Sequence, residues 1–192
     1  VALSSTGSAT ISAVTDNTDG TYTATVTNTV AESVTISGTL DGAAITDTAT
    51  ITFTVGAADP TNGNTTLVAA PTSVVADGAT TSSVTVTLAD ASGNLLTASG
   101  GTVALSSTGS ATIGAVTDNG NGTYTATVTN TVAESVTISG TLDGAAITDT
   151  AAITFTVGAA DPTNGNTTLG TAPTSVVADG ATTSSVSVTL AD

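Results

Sequence analysis

The apolar residues of this chain fall on alternate positions in short runs separated by turn-forming residues, the pattern of half-buried β-strands. Residues 83–89 set Val84, Val86 and Leu88 against Ser83, Thr85 and Thr87. Residues 123–129 place Tyr124, Ala126 and Val128 on one face, and residues 135–142 do the same with Val136, Ile138, Gly140 and Leu142. Residues 73–76, 102–107, 111–117 and 147–157 read as further strands. Between them, Asp90-Ala91-Ser92-Gly93-Asn94 and Asp118-Asn119-Gly120-Asn121-Gly122 are polar turns, and Asp143-Gly144 is a hairpin signal. No segment shows a 3.6-residue period flanked by helix caps. Seven or so short strands within about 100 residues predict an all-β fold, an immunoglobulin-like β-sandwich.

The pattern then repeats. Residues 1–90 return as residues 103–192 with seven substitutions: Ser12 to Gly114, Thr18 to Gly120, Asp19 to Asn121, Thr50 to Ala152, Val68 to Gly170, Ala69 to Thr171 and Thr85 to Ser187. This spacing exceeds the roughly 20 to 50 residues of solenoid units and matches a whole domain with its own core. Tandem sandwiches strung as beads are therefore expected. Polar linkers containing one proline each, residues 56–66 and 158–168, follow the last strands. They divide the chain into the C-terminal part of one repeat (1–66), a complete repeat (67–168) and the N-terminal strands of a further repeat (169–192). Both chain ends lie inside strand patterns, as expected for a window of a longer array.

Composition narrows the partners. There are 15 Asp and Glu residues and no Lys, Arg or His, a formal charge of −15. Nucleic acid and anionic lipid headgroups are bound through cationic side chains, so neither suits this surface. Mutual repulsion keeps close-packed copies soluble, and cations are the natural counterparts. At 39% apolar residues in regular alternation, the chain is too hydrophobic for disorder. No apolar run approaches the roughly 18 residues of a membrane span. Without Cys there are no disulfides.

Residues 73–96 (SVVADGATTSSVTVTLADASGNLL) and 115–130 (AVTDNGNGTYTATVTN), in that order, resemble the bacterial Ig-like repeats of the invasin and intimin type. The DNGNGTYT run is also similar to filamin-type Ig repeats. The resemblance covers essentially the whole repeat and implies an extracellular, cell-surface adhesin of a bacterium. The absence of basic residues is closer to the acidic extender arrays of giant adhesins.

Residue types also limit the chemistry. Without His, Cys or Lys, a Ser-His-Asp triad, a Cys-His pair, a Ser-Lys dyad and a Schiff-base lysine cannot be built. Carboxylates alone could hydrolyse a glycoside. However, Tyr22, Phe53, Tyr124 and Phe155, the only aromatics, all sit at core-parity positions, so no enzyme is expected. Calcium is the one specific ligand to weigh, since it takes six to eight oxygens. Ig-like connectivity sends the turns holding Asp90, Asp118 and Asp143 to the pole where the linker enters with Asp59, Asn62 and Asn64. Asp59, Asp90, Asp118, Asp143 and the repeat copy Asp161 are thus candidate ligands for an inter-domain Ca²⁺. The competing reading makes each of them a turn former. Asp47 and Asp149 share the parity of apolar neighbours in a last strand and either block edge pairing or sit on a bulge. Glu32 and Glu134 read as solvated.

Two functions follow. In one, the units are interchangeable, non-catalytic spacers that project a distal binding region from the bacterial surface, with neighbouring identical repeats as their partners. In the other, the chain is a filament subunit whose partial end domains complete each other by strand complementation, or a ligand-binding Ig-like module.

Overall fold

The computed structural model describes residues 1–192 and contains strands and no helix. The N-terminal partial repeat comprises β1 (Ala2–Ser5), β2 (Thr10–Ile11), β3 (Thr15–Asp16), β4 (Tyr22–Thr23), β5 (Val26–Thr27), β6 (Ser33–Leu40), β7 (Ala43–Ala44) and β8 (Ala49–Thr52). The central repeat comprises β9 (Thr66–Ala70), β10 (Ser73–Val75), β11 (Ser82–Thr87), β12 (Val103–Ser107), β13 (Thr112–Ile113), β14 (Thr117–Asp118), β15 (Thr123–Thr129), β16 (Ser135–Leu142), β17 (Ala145–Ala146) and β18 (Ala151–Thr156). The last two strands are β19 (Thr168–Ala172) and β20 (Ser185–Thr189).

The central repeat is a complete two-sheet sandwich. One sheet runs β10-β18-β16-β12 with β17 beside β16, and the other runs β13-β15-β11-β9 with β14 beside β15. All pairings are antiparallel except β10 with β18, which is parallel. The period-two pattern decides which residues face inward. Val84, Val86 and Leu88 from one sheet meet Val136, Ile138, Ile153 and Phe155 from the other, all fully buried or nearly so. Gly140 also points into this space: a Cβ there would lie 3.1 Å from Ile147 Cδ1 and 3.2 Å from Leu105 Cδ2, so those methyl groups would have to shift by a few tenths of an ångström. Tyr124 is buried along its ring, and its hydroxyl donates to Gly101 O at 2.7 Å while accepting from Gly100 N–H at 3.0 Å. The loop entering β12 is thereby pinned to the core.

Three elements differ from the sequence-based expectation. A strand not anticipated, β9, precedes residues 73–76 and pairs with β11; Thr65 and Thr66, read as linker, already belong to the sandwich, with Thr65 buried. The run 111–117 is split into β13 and β14, which pair with opposite ends of β15. The run 147–157 becomes a strand only at Ala151. Residues 147–150 bulge from the ladder, four residues opposite Ser139 and Gly140 of β16, as residues 45–48 do in the first repeat, and the Asp149 carboxylate on this bulge accepts the Leu67 N–H of β9, on the other sheet, at 2.9 Å. Asp149 thus sits on a bulge, the second of its two expected placements, and from there its carboxylate caps the free donor of an edge strand.

Identical segments reach different burial according to what their neighbours supply. Tyr22 is 42% exposed where Tyr124 is 3% exposed, because no strand equivalent to β11 covers β4 and β5. In the β19–β20 hairpin Leu169, Val186 and Val188 lie open, although their counterparts Leu67, Val84 and Val86 form the core of the central repeat. A direct test is Tyr124→Phe, which leaves the Gly100 donor unsatisfied and should destabilise the central sandwich by about 1–3 kcal/mol. Tyr22→Phe in the same chain should stay within about 0.5 kcal/mol. Urea unfolding followed by circular dichroism distinguishes the two; equal effects would contradict the buried hydroxyl network.

Candidate functional site

The joint between repeats is where polar chemistry concentrates. Apart from Asp16 and Asp118, which end two-residue strands, every carboxylate lies outside the strands in the connecting segments. With no cationic side chain available, each anion must find N–H or O–H donors. Asp90 illustrates how. Its residue is 4% exposed, its Oδ2 accepts the Gly56 N–H at 2.8 Å across the joint, and its Oδ1 accepts the N–H groups of Ser92 and Asn94, each at 2.9 Å. The Asn94 side-chain amide lies against both carboxylate oxygens at 3.0 and 3.1 Å. These donors, the Gly56 N–H foremost, hold the Asp90 carboxyl down at about 2.

Asn94 links the repeats a second time. Its Oδ1 accepts the Ala31 N–H at 2.9 Å, and its Nδ2 donates to Thr29 O at 2.9 Å, both in the preceding repeat. The linker docks against the same loop: Asp59 N–H donates to Ala89 O at 2.8 Å, Asn64 Nδ2 to Gly93 O at 2.9 Å and Asn62 Nδ2 to Ala91 O at 3.3 Å. Thr65 closes the arrangement, its hydroxyl donating to Asp59 O and accepting from Ala89 N–H. Pro60 O accepts the Thr148 N–H, which ties the linker to the opposite sheet.

The arrangement recurs at the other end of the central repeat. Gly158 N–H donates to Asp192 Oδ2 at 2.7 Å, Asp161 N–H to Ala191 O at 2.7 Å and the Thr167 hydroxyl to Asp161 O at 2.8 Å. Each contact reproduces its counterpart one repeat earlier.

The five candidate calcium ligands are engaged separately. Asp59 and Asp161 turn onto the N–H and hydroxyl of Thr61 and Thr163, two residues ahead. Their carboxyls are lowered first of all by those hydroxyls. Asp118 accepts the Gly120 N–H, and Asp143, in the left-handed region at φ 48°, accepts the Thr102 N–H at 2.8 Å. No group of three or more acidic side chains converges closely enough to hold a metal ion, so the expected gathering of carboxylates around one cation is not formed. The physical reason is that each carboxylate is taken up separately: Asp59, Asp118 and Asp161 by an N–H two residues ahead, Asp90 and Asp143 by the distant Gly56 and Thr102 N–H groups.

Two roles escaped the sequence reading. Glu134 is not merely solvated; its Oε1 accepts the Ser110 N–H at 2.6 Å and the Asn130 amide at 2.9 Å, and Gly109, at φ 67°, leaves room for it. Glu32 repeats this clamp on Ser8 and Asn28, and both carboxyls are lowered, chiefly by the serine N–H. Asn94 was read only as a turn residue. Its four-residue spacing from Asp90 was visible, but its partners at Thr29 and Ala31 lie more than sixty residues away.

Fold and joint together define a non-helical tandem array of Ig-like sandwiches coupled head to tail by side-chain amides and carboxylates. The model of the family described as "Invasin, domain 3" matches residues 1–56 and again 61–158, and the chain belongs to that family. The resemblance to bacterial Ig-like repeats of the invasin and intimin type is thus confirmed, and the chain is an adhesin-related domain array. Among solved structures it is similar to the Escherichia coli adhesin FdeC, at 27% identity and a TM-score of 0.62 over 100% of this chain and 62% of that one. It is similar also to invasin, a bacterial integrin-binding protein, at 27% identity and 0.59 over 99% of this chain and 38% of the other. InvD of Yersinia pseudotuberculosis aligns at 29% identity and 0.57 over 89% of this chain and 51% of its own. The chain therefore spans less than two thirds of each of these proteins. No curated protein matches it.

The joint makes two predictions. Asn94→Ala removes two hydrogen bonds between repeats, each worth about 1 kcal/mol, and should broaden the inter-repeat angle seen in residual dipolar couplings while leaving each sandwich intact. Acid should act on the same joint. Because the folded Asp90 carboxyl lies below its ordinary value of 3.8, its stabilisation is present above pH 4 and is lost as pH falls from about 4 to about 2. Inter-repeat order should follow that window, and loss of order already at pH 6 would contradict it.

Proposed function

We propose that this chain is a run of non-catalytic spacer repeats of a bacterial cell-surface adhesin, which hold a distal binding region away from the cell. The observation that carries this reading is the repetition of the joint: the Gly56–Asp90 contact and its neighbours return as Gly158–Asp192. A spacer needs every bead to meet the next in one way, whereas a binding module needs one bead to differ. The seven substitutions between copies leave Asp90, Gly56, Asp59 and Asn64 untouched. Family membership and likeness to proteins described as an adhesin and an integrin-binding protein support a place on the bacterial surface. Nothing in the repeat supplies a His-, Cys- or Lys-based nucleophile–base pair, since those residues are absent.

The joint closes through amides and hydroxyls, so calcium is not required to close it. Both Asp90 oxygens are already occupied by N–H donors.

Small-angle scattering of two, four and six concatenated repeats tests the spacer. The maximum dimension should rise in proportion to repeat number; growth with the square root of repeat number would describe a flexible chain and overturn the reading. Millimolar Ca²⁺ should shift the melting temperature by less than about 1 °C, because a ligand that binds only the folded state raises it through mass action. A rise of several degrees would establish a cation site at the joint.

A further inference from the structure

We infer that the parallel pair β10–β18 is a mechanical shear clamp, which makes each sandwich a load-bearing element along the array. The inference draws its relevance from the spacer reading but rests on strand geometry alone. Ser73, Val74 and Val75 lie opposite Thr154, Phe155 and Thr156 in parallel register. At the two ends of this ladder, Thr154 N–H donates to Thr72 O at 2.8 Å and Ala76 N–H donates to Thr156 O at 2.9 Å. The Thr156 hydroxyl adds a contact to Val74 O at 3.3 Å.

The chain enters the central repeat through β9, runs on into β10, and leaves through β18. Tension from the preceding repeat arrives at the pole of Pro60, Thr65 and Ala89, and passes through β9 into the N-terminal end of β10. Tension from the following repeat arrives at Gly158 and pulls the C-terminal end of β18. In a parallel pair those two ends lie at opposite poles. The strands are therefore pulled past each other along their length, and every bond of the ladder is loaded together rather than one after another. On its other side β18 is held by β16 over four further register positions. Val74 and Phe155, 6% and 2% exposed, cover the inner face of the clamp, while Ser73, Val75, Thr154 and Thr156 face outward. Upstream, the Asp149 carboxylate on Leu67 N–H and the five-residue β9–β11 register resist extraction of β9 in the same direction.

The absence of Cys lets introduced cysteines set the direction of pull in single-molecule force spectroscopy on the full chain. Gly63→Cys with Gly165→Cys attaches handles at linker positions where a Cβ meets nothing within 4 Å, and this pair pulls the clamp in shear. Ala79→Cys with Gly165→Cys attaches both handles at the pole where β10 and β18 end together, so the same ladder is peeled from its Ala76 end. In shear the central repeat should rupture in one event that releases about 300 Å of chain, for about 100 residues at about 3.5 Å each less the folded span. The force should be several times that of the peeling geometry. Ala76→Pro, which removes one terminal donor, should lower the shear force. It should raise the unfolding rate without load by no more than about fivefold, as expected for one hydrogen bond. Equal rupture forces in the two directions, or a shear force unchanged by Ala76→Pro in a folded chain, would overturn the clamp. Either result leaves the spacer reading standing, since that reading is decided by how length grows with repeat number.

Discussion

Where solvent does not take them up, the 15 carboxylates of a chain with no cationic side chain can be satisfied only by backbone N–H groups, hydroxyls and amides. This constraint reaches into every part of the structure. Ion pairs tolerate loose geometry, but an N–H donor must be aimed, so each carboxylate fixes the backbone that supplies it. Asp77 folds its turn onto Ala79 and Thr80, Glu134 holds Ser110, Asp149 holds Leu67, and Asp90 holds Gly56 of the preceding repeat. The same type of interaction thus shapes a turn, braces a loop, caps an edge strand and joins two domains.

Its placement divides each bead into poles and faces. The sheet faces are mostly Ser, Thr, Val and Ala, with neutral side chains in strand alternation, whereas charge, apart from Asp16 and Asp118 at the ends of two-residue strands, lies in the connecting segments. Repulsion between copies side by side is carried by the poles, and the contact between copies end to end is made by the same poles through bonds that neutralise nothing. An array built this way keeps its net charge at every joint. That is compatible with an extended, soluble run of beads, and it explains why a joint rich in aspartate forms without gathering its carboxylates around an ion.

Much of the sandwich was legible because its core obeys strict alternation. Val84, Val86, Tyr124, Val128, Val136, Ile138 and Phe155 all face inward as the two-residue period requires. The misreadings share one cause. β9 has a weak pattern, Leu67-Val68-Ala69-Ala70, and becomes a strand because β11 offers it a partner. Residues 147–150 carry strand-like residues but bulge out of the ladder opposite Ser139 and Gly140, and the Asp149 they present meets Leu67 of the other sheet. At the joint, Asp90 and Asn94 were recognisable as polar turn residues, but a turn former and a domain coupler have the same local sequence. Only the approach of Gly56, Thr29 and Ala31 separates the two.

The sequence by itself determined the all-β class, the repeat and its length, the inward face of each long strand and the exclusion of cation-dependent or thiol chemistry, because alternation and composition are local properties. Tertiary structure decided which copy of a segment is buried, since Tyr22 and Tyr124 share a sequence context but not the neighbouring strand that covers the ring. It also decided what the carboxylates do. A hydrogen bond is a matter of distance in space, and Asp90, Asp149 and Glu134 each meet one donor that lies 24 to 82 residues away along the chain.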